Sequence, residues 1–196
     1  MKTKQGERPV RLRIIAGSLK GRKINGSHGP RTRPTSDKVR EAIFSSLGER
    51  VGGARVLDLY AGSGAMGIEA LSRGAAQAVF VEAASSSAAL IDENLASLGL
   101  KAYSNVKVMP VETFMSDLGH ERFDLIFLDP PYDEPLPWHD LEALAAAGAM
   151  PGGAFVVIET ASRNLGDDLA APLGFALRGL RSYGDTAVIH LIYEDN

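Results

Sequence analysis

The chain contains no cysteine. Disulfides and thiolate zinc sites are therefore excluded, and nothing points to an oxidising compartment. No apolar run approaches the roughly 20 residues that cross a bilayer. The basic N-terminus lacks the apolar core of a secretory signal. His28, His120, His139 and His190 show no metal-ligand spacing with Asp or Glu. Ser63 lies in AGSG rather than in the GxSxG of a hydrolase elbow. No internal repeat is present. These absences lead to the expectation of a cytoplasmic protein with no membrane segment and no metal.

What is present is enough for one domain of ordinary size. The 196 residues are 45% hydrophobic and 23% charged, the range of soluble globular chains. The net charge of −3 conceals an asymmetry. Residues 1–40 hold twelve Lys or Arg against Glu7 and Asp37, a net of +10. Residues 41–196 hold nine basic and twenty-two acidic residues, a net of −13. A basic arm on an acidic body is expected of a protein that grips a polyanion with one region, a solvated tail being the plainer alternative.

The pattern of apolar residues is regular. Arg11–Ala16 reads as a strand, with Gly21–Ile24 as its hairpin partner, and residues 25–34 form a Gly, Pro and Arg loop. Thr35 or Ser36 caps a helix running to Leu47, with Val39, Ile43, Phe44 and Leu47 on one face. Strands then alternate with helices: Arg55–Tyr60, Ala78–Glu82, Val106–Met109, Phe123–Leu128 and Ala154–Glu159 as strands, Gly64–Arg73, Ser85–Leu98, Glu112–Leu118 and Trp138–Ala147 as helices. Ala176–Leu180 and Ala187–Tyr193 close the chain as an antiparallel hairpin turning at Ser182–Asp185. Trp138, at a helix start, is expected to pack rather than to stack on a base. This is an α/β pattern, predicting a doubly wound, mostly parallel sheet. It matches the Rossmann-like, seven-stranded sheet of class I methyltransferases. Ligands on such sheets sit beyond the carboxyl ends of the strands.

Two motifs lie at such ends. The first strand runs into Asp58-Leu59-Tyr60-Ala61-Gly62-Ser63-Gly64-Ala65-Met66-Gly67, which satisfies GxGxxG. Asp58 argues against a dinucleotide, because a carboxylate in that crevice repels a pyrophosphate by several kcal/mol, by order of magnitude. It would attract the ammonium of S-adenosylmethionine, which carries no phosphate. Glu82 ends the next strand, where a carboxylate can accept from both ribose hydroxyls. Tyr60, Ala61, Gly62, Ser63 and Gly64 complete the expected donor shell. After the third alternating strand many class I methyltransferases place an Asp for the adenine amine. Here Val111 stands there, leaving Glu112 or the backbone at Val111 and Glu112.

The second motif is Asp129-Pro130-Pro131-Tyr132, after Leu125-Ile126-Phe127-Leu128. Neither proline offers an N–H. Asp129 and the Pro130 carbonyl can accept the two hydrogens of a planar amine, and Tyr132 can stack on its base for about 1–3 kcal/mol. Acceleration would come chiefly from positioning for in-line transfer, on a base flipped out of its duplex or folded RNA.

On these residues the chain resembles the bacterial 16S ribosomal RNA guanine-N2 methyltransferases, the RsmD family. The resemblance covers nearly the whole chain, through RIIAG at Arg13–Gly17, KGRKI at Lys20–Ile24, RPTSDKVREAIF at Arg33–Phe44, LDLYAGSGAMGIEALSRGA at Leu57–Ala75, and DPPY. It implies S-adenosylmethionine as donor, S-adenosylhomocysteine as product, and guanine N2 of 16S rRNA, within a small-subunit assembly particle, as acceptor. Asp129 and Tyr132 would bind the amine, with Pro130 and Pro131 between them. Residues 1–34 would be a basic RNA-binding extension, and residues 35–196 the catalytic domain of a monomer. Arg11, Arg13, Lys20, Arg22, Lys23, Arg31 and Arg33 are the expected phosphate contacts, with Arg33 and Arg40 near the active-site rim. Three alternatives stay open: a DNA adenine-N6 methyltransferase, for whose target-recognition segment 196 residues leave little room; a protein-glutamine methyltransferase, which uses Asn-Pro-Pro-Tyr; and a non-catalytic RNA-binding assembly factor.

Overall fold

The computed structural model describes residues 11–26, 36–166 and 169–195. Arg31, Arg33 and all of the expected loop from residue 27 onward therefore lie outside the described residues. Two short strands, β1 (Arg11–Arg13) and β2 (Lys23–Asn25), pair antiparallel with Leu12 opposite Ile24. Helix α1 (Asp37–Leu47) follows, its Val39 N–H donating to Ser36 Oγ at 3.3 Å as an N-cap requires. Then come β3 (Arg55–Leu59), α2 (Ala65–Ser72), β4 (Gln77–Glu82), α3 (Ser85–Leu98), β5 (Ser104–Val108), α4 (Val111–Ser116), β6 (Leu125–Leu128), α5 (Trp138–Ala146), β7 (Phe155–Ala161), β8 (Phe175–Tyr183) and β9 (Thr186–Tyr193). Every expected strand and helix is present, with ends shifted by at most three residues. Short 3-10 turns at Gly48–Val51, Lys101–Tyr103 and Ser162–Asn164 carry no periodic signal and were not expected.

The seven-stranded sheet has the order β5-β4-β3-β6-β7-β9-β8. Pairing is parallel from β5 to β7, and β9 runs antiparallel to both neighbours. The order reverses between β3 and β6, so the crevice opens beyond the carboxyl ends of these two strands. Each face carries its own apolar layer. The hairpin, α1, α2 and α3 cover one, through Leu12, Ile24, Phe44, Ile68, Phe80, Ile91 and Phe127. Helices α4 and α5 cover the other, through Leu57, Phe114, Ile126, Leu141 and Ile158. Burying one such side chain contributes about 1.5–3 kcal/mol.

The hairpin is not a loosely attached arm. Glu69, 1% exposed on α2, accepts from the Ile15 and Ala16 N–H groups at 2.8 and 3.0 Å, and from Arg73 Nε at 2.7 Å. Ser72 Oγ donates to the Ala16 carbonyl at 2.6 Å and accepts from Leu19 N–H at 3.1 Å. The RIIAG segment and the EALSR part of the glycine motif are thus two halves of one contact. Gly17 makes it possible: a Cβ there would stand 1.8 Å from the Ser72 carbonyl oxygen.

Gly17 and Gly21 share φ = +83°, but Gly21 faces open space. Gly21→Ala should therefore lose only the left-handed penalty of about 1–2 kcal/mol. Gly17→Ala adds a backbone clash and should lose about 3 kcal/mol or more. Urea unfolding of the two variants tests this; equal losses would mean that the segment is not docked against α2.

Candidate active site

A cavity of about 500 Å³ opens at the carboxyl ends of β3, β4 and β6. Its wall brings together the two sequence motifs, the start of α4 and, from the hairpin, Leu12. Asp58, Tyr60, Ala61, Gly62, Ser63, Glu82, Val111, Glu112 and Asp129 to Tyr132 all line it. Of the expected donor shell only Gly64 is set back, beneath the loop, where its N–H donates to the Ala61 carbonyl at 2.7 Å. Among the described residues, five carboxylates stand in the wall, those of Asp58, Glu82, Glu112, Asp129 and Glu134, and no Lys, Arg or His.

Asp58 is 2% exposed, and its Oδ2 accepts from the Gly67 N–H at 2.9 Å. Gly64, at the N-cap of α2, has no side chain, so a residue from the preceding strand satisfies a free N–H of the first turn. Burial pushes the Asp58 carboxyl up to about 7, with the Gly67 bond opposing and the charge of Glu82 adding. Glu82 accepts from the Gly62 N–H through one oxygen and from the Ala84 N–H through the other, both at 2.8 Å. It shapes the loop while a lone pair on each oxygen remains. Tyr60 holds φ = +58° without being glycine, a conformation that costs about 1–2 kcal/mol. Its hydroxyl donates to Asp140 Oδ2 at 2.8 Å, which sequence pattern gave no means of pairing. Val111 is buried at the first residue of α4 and offers this wall an apolar surface beside Pro110 and Glu112.

Asp129 follows β6, in register next to Glu159 of β7, and on the sheet face that carries Asp58. Burial raises its carboxyl well above the ordinary range, with the charges of Glu159 and Asp58 adding. Pro130 is buried behind it. Tyr132 is tethered at both ends. Its hydroxyl donates to the Asp185 carbonyl at 2.6 Å and lies 3.2 Å from Thr186 Oγ1, in the β8–β9 turn. Its own carbonyl accepts from Arg163 Nη2 at 3.2 Å, and the Arg163 guanidinium lies 5.4 Å from the ring centroid. The Asn164 amide reaches the Glu134 carbonyl at 2.8 Å and Thr160 Oγ1 at 3.1 Å. Arg163, Asn164, Asp185 and Thr186 were not expected at the site, since each reaches the tetrapeptide from about 30 or more residues along the chain.

The cations divide. Arg11, Arg13, Lys20, Arg22 and Lys23 are exposed on the hairpin and its turn, with Arg13 Nη2 3.5 Å from Asp37 and Arg22 donating to the Ser97 carbonyl at 2.9 Å. Arg40 does not belong with them. It is 1% exposed, and its Nη2 donates to the Arg13 carbonyl at 2.7 Å and to Asp37 Oδ1 at 2.9 Å. Burial lowers its pKa against the attraction of Asp37, Glu69 and Glu159. The expectation of a rim contact fails because α1 turns this position inward with Val39, Ile43 and Phe44, so Arg40 fastens the hairpin to α1. Asn94, buried on α3, was also missed: it exchanges hydrogen bonds with both backbone groups of Asn25 at 2.9 Å and donates to the Ser63 carbonyl at 3.2 Å.

This sheet order, with one antiparallel strand and a glycine loop after the first parallel strand, defines the class I methyltransferase fold. The chain belongs to the family described as conserved hypothetical protein 95, whose profile matches residues 12–192. The "Ribosomal RNA small subunit methyltransferase D" of Escherichia coli is 35% identical over 155 residues, 78% of this chain and 76% of that one. Its namesake from Buchnera aphidicola subsp. Acyrthosiphon pisum is 33% identical over 151 residues, covering 76% and 78%. A solved Escherichia coli structure carried under a provisional methyltransferase name, yhhF, superposes with a TM-score of 0.83 at 30% identity, covering 95% of this chain and 100% of that one.

A cation seated beside Asp58 favours its ionised form. Below about pH 7 binding must expel a proton, so affinity should fall about tenfold per pH unit. Titration with S-adenosylmethionine near neutral pH, in two buffers of different ionisation heat, should show proton release, and Asp58→Asn should remove it. Proton-neutral binding across pH 6 to 8 would place the ligand's charge away from Asp58.

Proposed function

We propose that this chain transfers the methyl group of S-adenosylmethionine to the exocyclic N2 amine of a guanine in 16S rRNA of the small ribosomal subunit, leaving S-adenosylhomocysteine. One observation carries the reading: the Asp129–Tyr132 tetrapeptide and the glycine loop line one cavity whose charged groups, among the described residues, are all carboxylates. That wall suits a ligand with positive charge and no phosphate. It opposes a dinucleotide or nucleoside triphosphate. Membership of a family with members named as rRNA methyltransferases supports the acceptor.

When bound, S-adenosylmethionine supplies an electrophilic methyl group on a cationic sulfur. Asp58 faces the cationic end, Glu82 the ribose, and Val111 with Glu112 the adenine. Asp129 and the Pro130 carbonyl accept the two amine hydrogens, which holds the nitrogen lone pair toward the methyl group. The Tyr132 ring supports the base, and its tethered hydroxyl fixes the ring's tilt. Transfer forms the N–C bond, breaks the C–S bond with its electron pair left on sulfur, and obliges the nitrogen to lose a proton. Asp129, already accepting one of the amine hydrogens in this reading, is the group that would take that proton when ionised. In this reading residues 1–34 form the RNA-binding extension and 35–196 the catalytic domain. The chain acts as a cytoplasmic monomer on rRNA in an assembling small subunit. No helix among the described residues is long and apolar enough to cross a membrane.

The test is transfer of labelled methyl to unmodified small subunits, naked 16S rRNA, DNA and total protein, followed by nucleoside analysis. N2-methylguanosine in 16S rRNA is expected. Asp129→Ala should reduce its formation by about 10²–10⁴-fold while retaining donor binding. N6-methyladenine in DNA, or label on protein, would overturn the acceptor. Donor binding without transfer to any of them would leave a non-catalytic role.

A further inference from the structure

Helix α1 crosses the sheet face that carries the hairpin. Its Phe44 ring packs 5.6 Å from Phe127 of β6, and Ser46 Oγ lies 3.3 Å from His190 Nε2 of β9. Between this helix and the edge strand β8 runs an open groove of about 460 Å³, lined by Lys38, Glu41, Ala42, Ser45, Ser46 and Arg181. Arg181 stands opposite Val188 in the β8–β9 register, and Val188 belongs to the apolar layer under α1, so Arg181 rises on the helix side of the sheet.

The groove brings two cations together. Four arginines elsewhere on the acidic body lie against carboxylates: Arg55 with Glu121, Arg73 with Glu69, Arg163 with Asp133 and Arg178 with Glu194. Lys38 and Arg181 form no ion pair with a described residue, although residues 41–196 carry a net charge of −13. Glu41 is the one carboxylate in the lining, against two cations. Ser45 adds a hydroxyl donor, whereas the Ser46 hydroxyl donates to the Ile43 carbonyl at 2.7 Å. Among the described residues the lining holds no aromatic ring for a base to stack on. Lys38 also continues the hairpin's cationic surface, since Arg13 pairs with Asp37, the residue before it.

Resting on the rRNA reading above, we propose that this groove seats a backbone phosphate of the substrate RNA, Lys38 and Arg181 holding it from two sides and the Ser45 hydroxyl donating to it. The RNA would then run from the hairpin across the start of α1 to the far edge of the sheet. Two cations flanking an open polar groove suit a phosphodiester, which needs charge and donors but no pocket for a base.

Binding of 16S rRNA and of unmodified small subunits, measured over a range of salt, tests the proposal. Donor binding serves as the readout of folding. Lys38→Ala combined with Arg181→Ala should weaken RNA binding several-fold and reduce the slope of log affinity against log salt by about one. Glu41→Gln should strengthen RNA binding, a change of sign that a packing role would not produce. Unchanged affinity and slope in the double variant, on an RNA that the parent binds, would overturn the groove and leave the methyl-transfer reading standing. Weakening confined to assembled subunits, with naked RNA unaffected, would assign the groove to a ribosomal protein and overturn the proposal. A parent chain that binds no rRNA would remove both readings together.

Discussion

The hydrogen bond from the Gly67 N–H to the buried Asp58 carboxylate is the constraint on which the site depends. It ties the end of β3 to the first turn of α2 and thereby sets the course of the loop between them. The approach is close: a Cβ on Gly67 would stand 2.3 Å from the Phe80 ring and 3.1 Å from the Asp58 carboxylate. Because the helix start lies flush against the sheet, the carboxylate is both capping group and cavity wall. A buried carboxylate resists ionisation, and a cationic ligand relieves that resistance. In the proposed reading, one residue therefore shapes the loop and selects the sign of what the loop holds.

A second set of contacts builds the basic hairpin into the same site. Glu69 and Ser72 grip residues 15–19, Arg40 grips the Arg13 carbonyl, and Asn94 bridges Asn25 to the Ser63 carbonyl. Leu12 of the hairpin reaches the cavity wall. The surface that carries the exposed cations and the loop that faces the ligand are thus joined through buried polar side chains. Each of these, once truncated, would leave a backbone N–H or C=O without its partner, at about 1–3 kcal/mol apiece.

The order of strands and helices was legible in the sequence because local patterns determine it. Apolar runs such as Ala78–Val81 and Leu125–Leu128 are long enough to be strands buried on both faces, and turn residues punctuate them. Boundaries slipped where the local pattern is weak. β5 begins at Ser104 rather than Val106 because an edge strand tolerates polar residues, and Phe123 is buried without joining the ladder of β6. The cavity-lining residues of both motifs were legible because they adjoin strand ends. The partners that fix them were not. Asn164 and Asp185 reach Tyr132 from 32 and 53 residues away, and Asp140 reaches Tyr60 from 80, distances at which spacing holds no information. Arg40 was misread for a related reason: charge in a basic segment does not disclose which face of a helix it occupies.

The most direct measurement is calorimetric titration of the protein at pH 7.5 with S-adenosylmethionine and, separately, with a nicotinamide dinucleotide. A wall with five carboxylates and no cation among the described residues should bind S-adenosylmethionine and show no measurable heat with the dinucleotide. A dinucleotide that bound as tightly, or displaced S-adenosylmethionine, would contradict the assignment of the cavity to a cationic methyl donor.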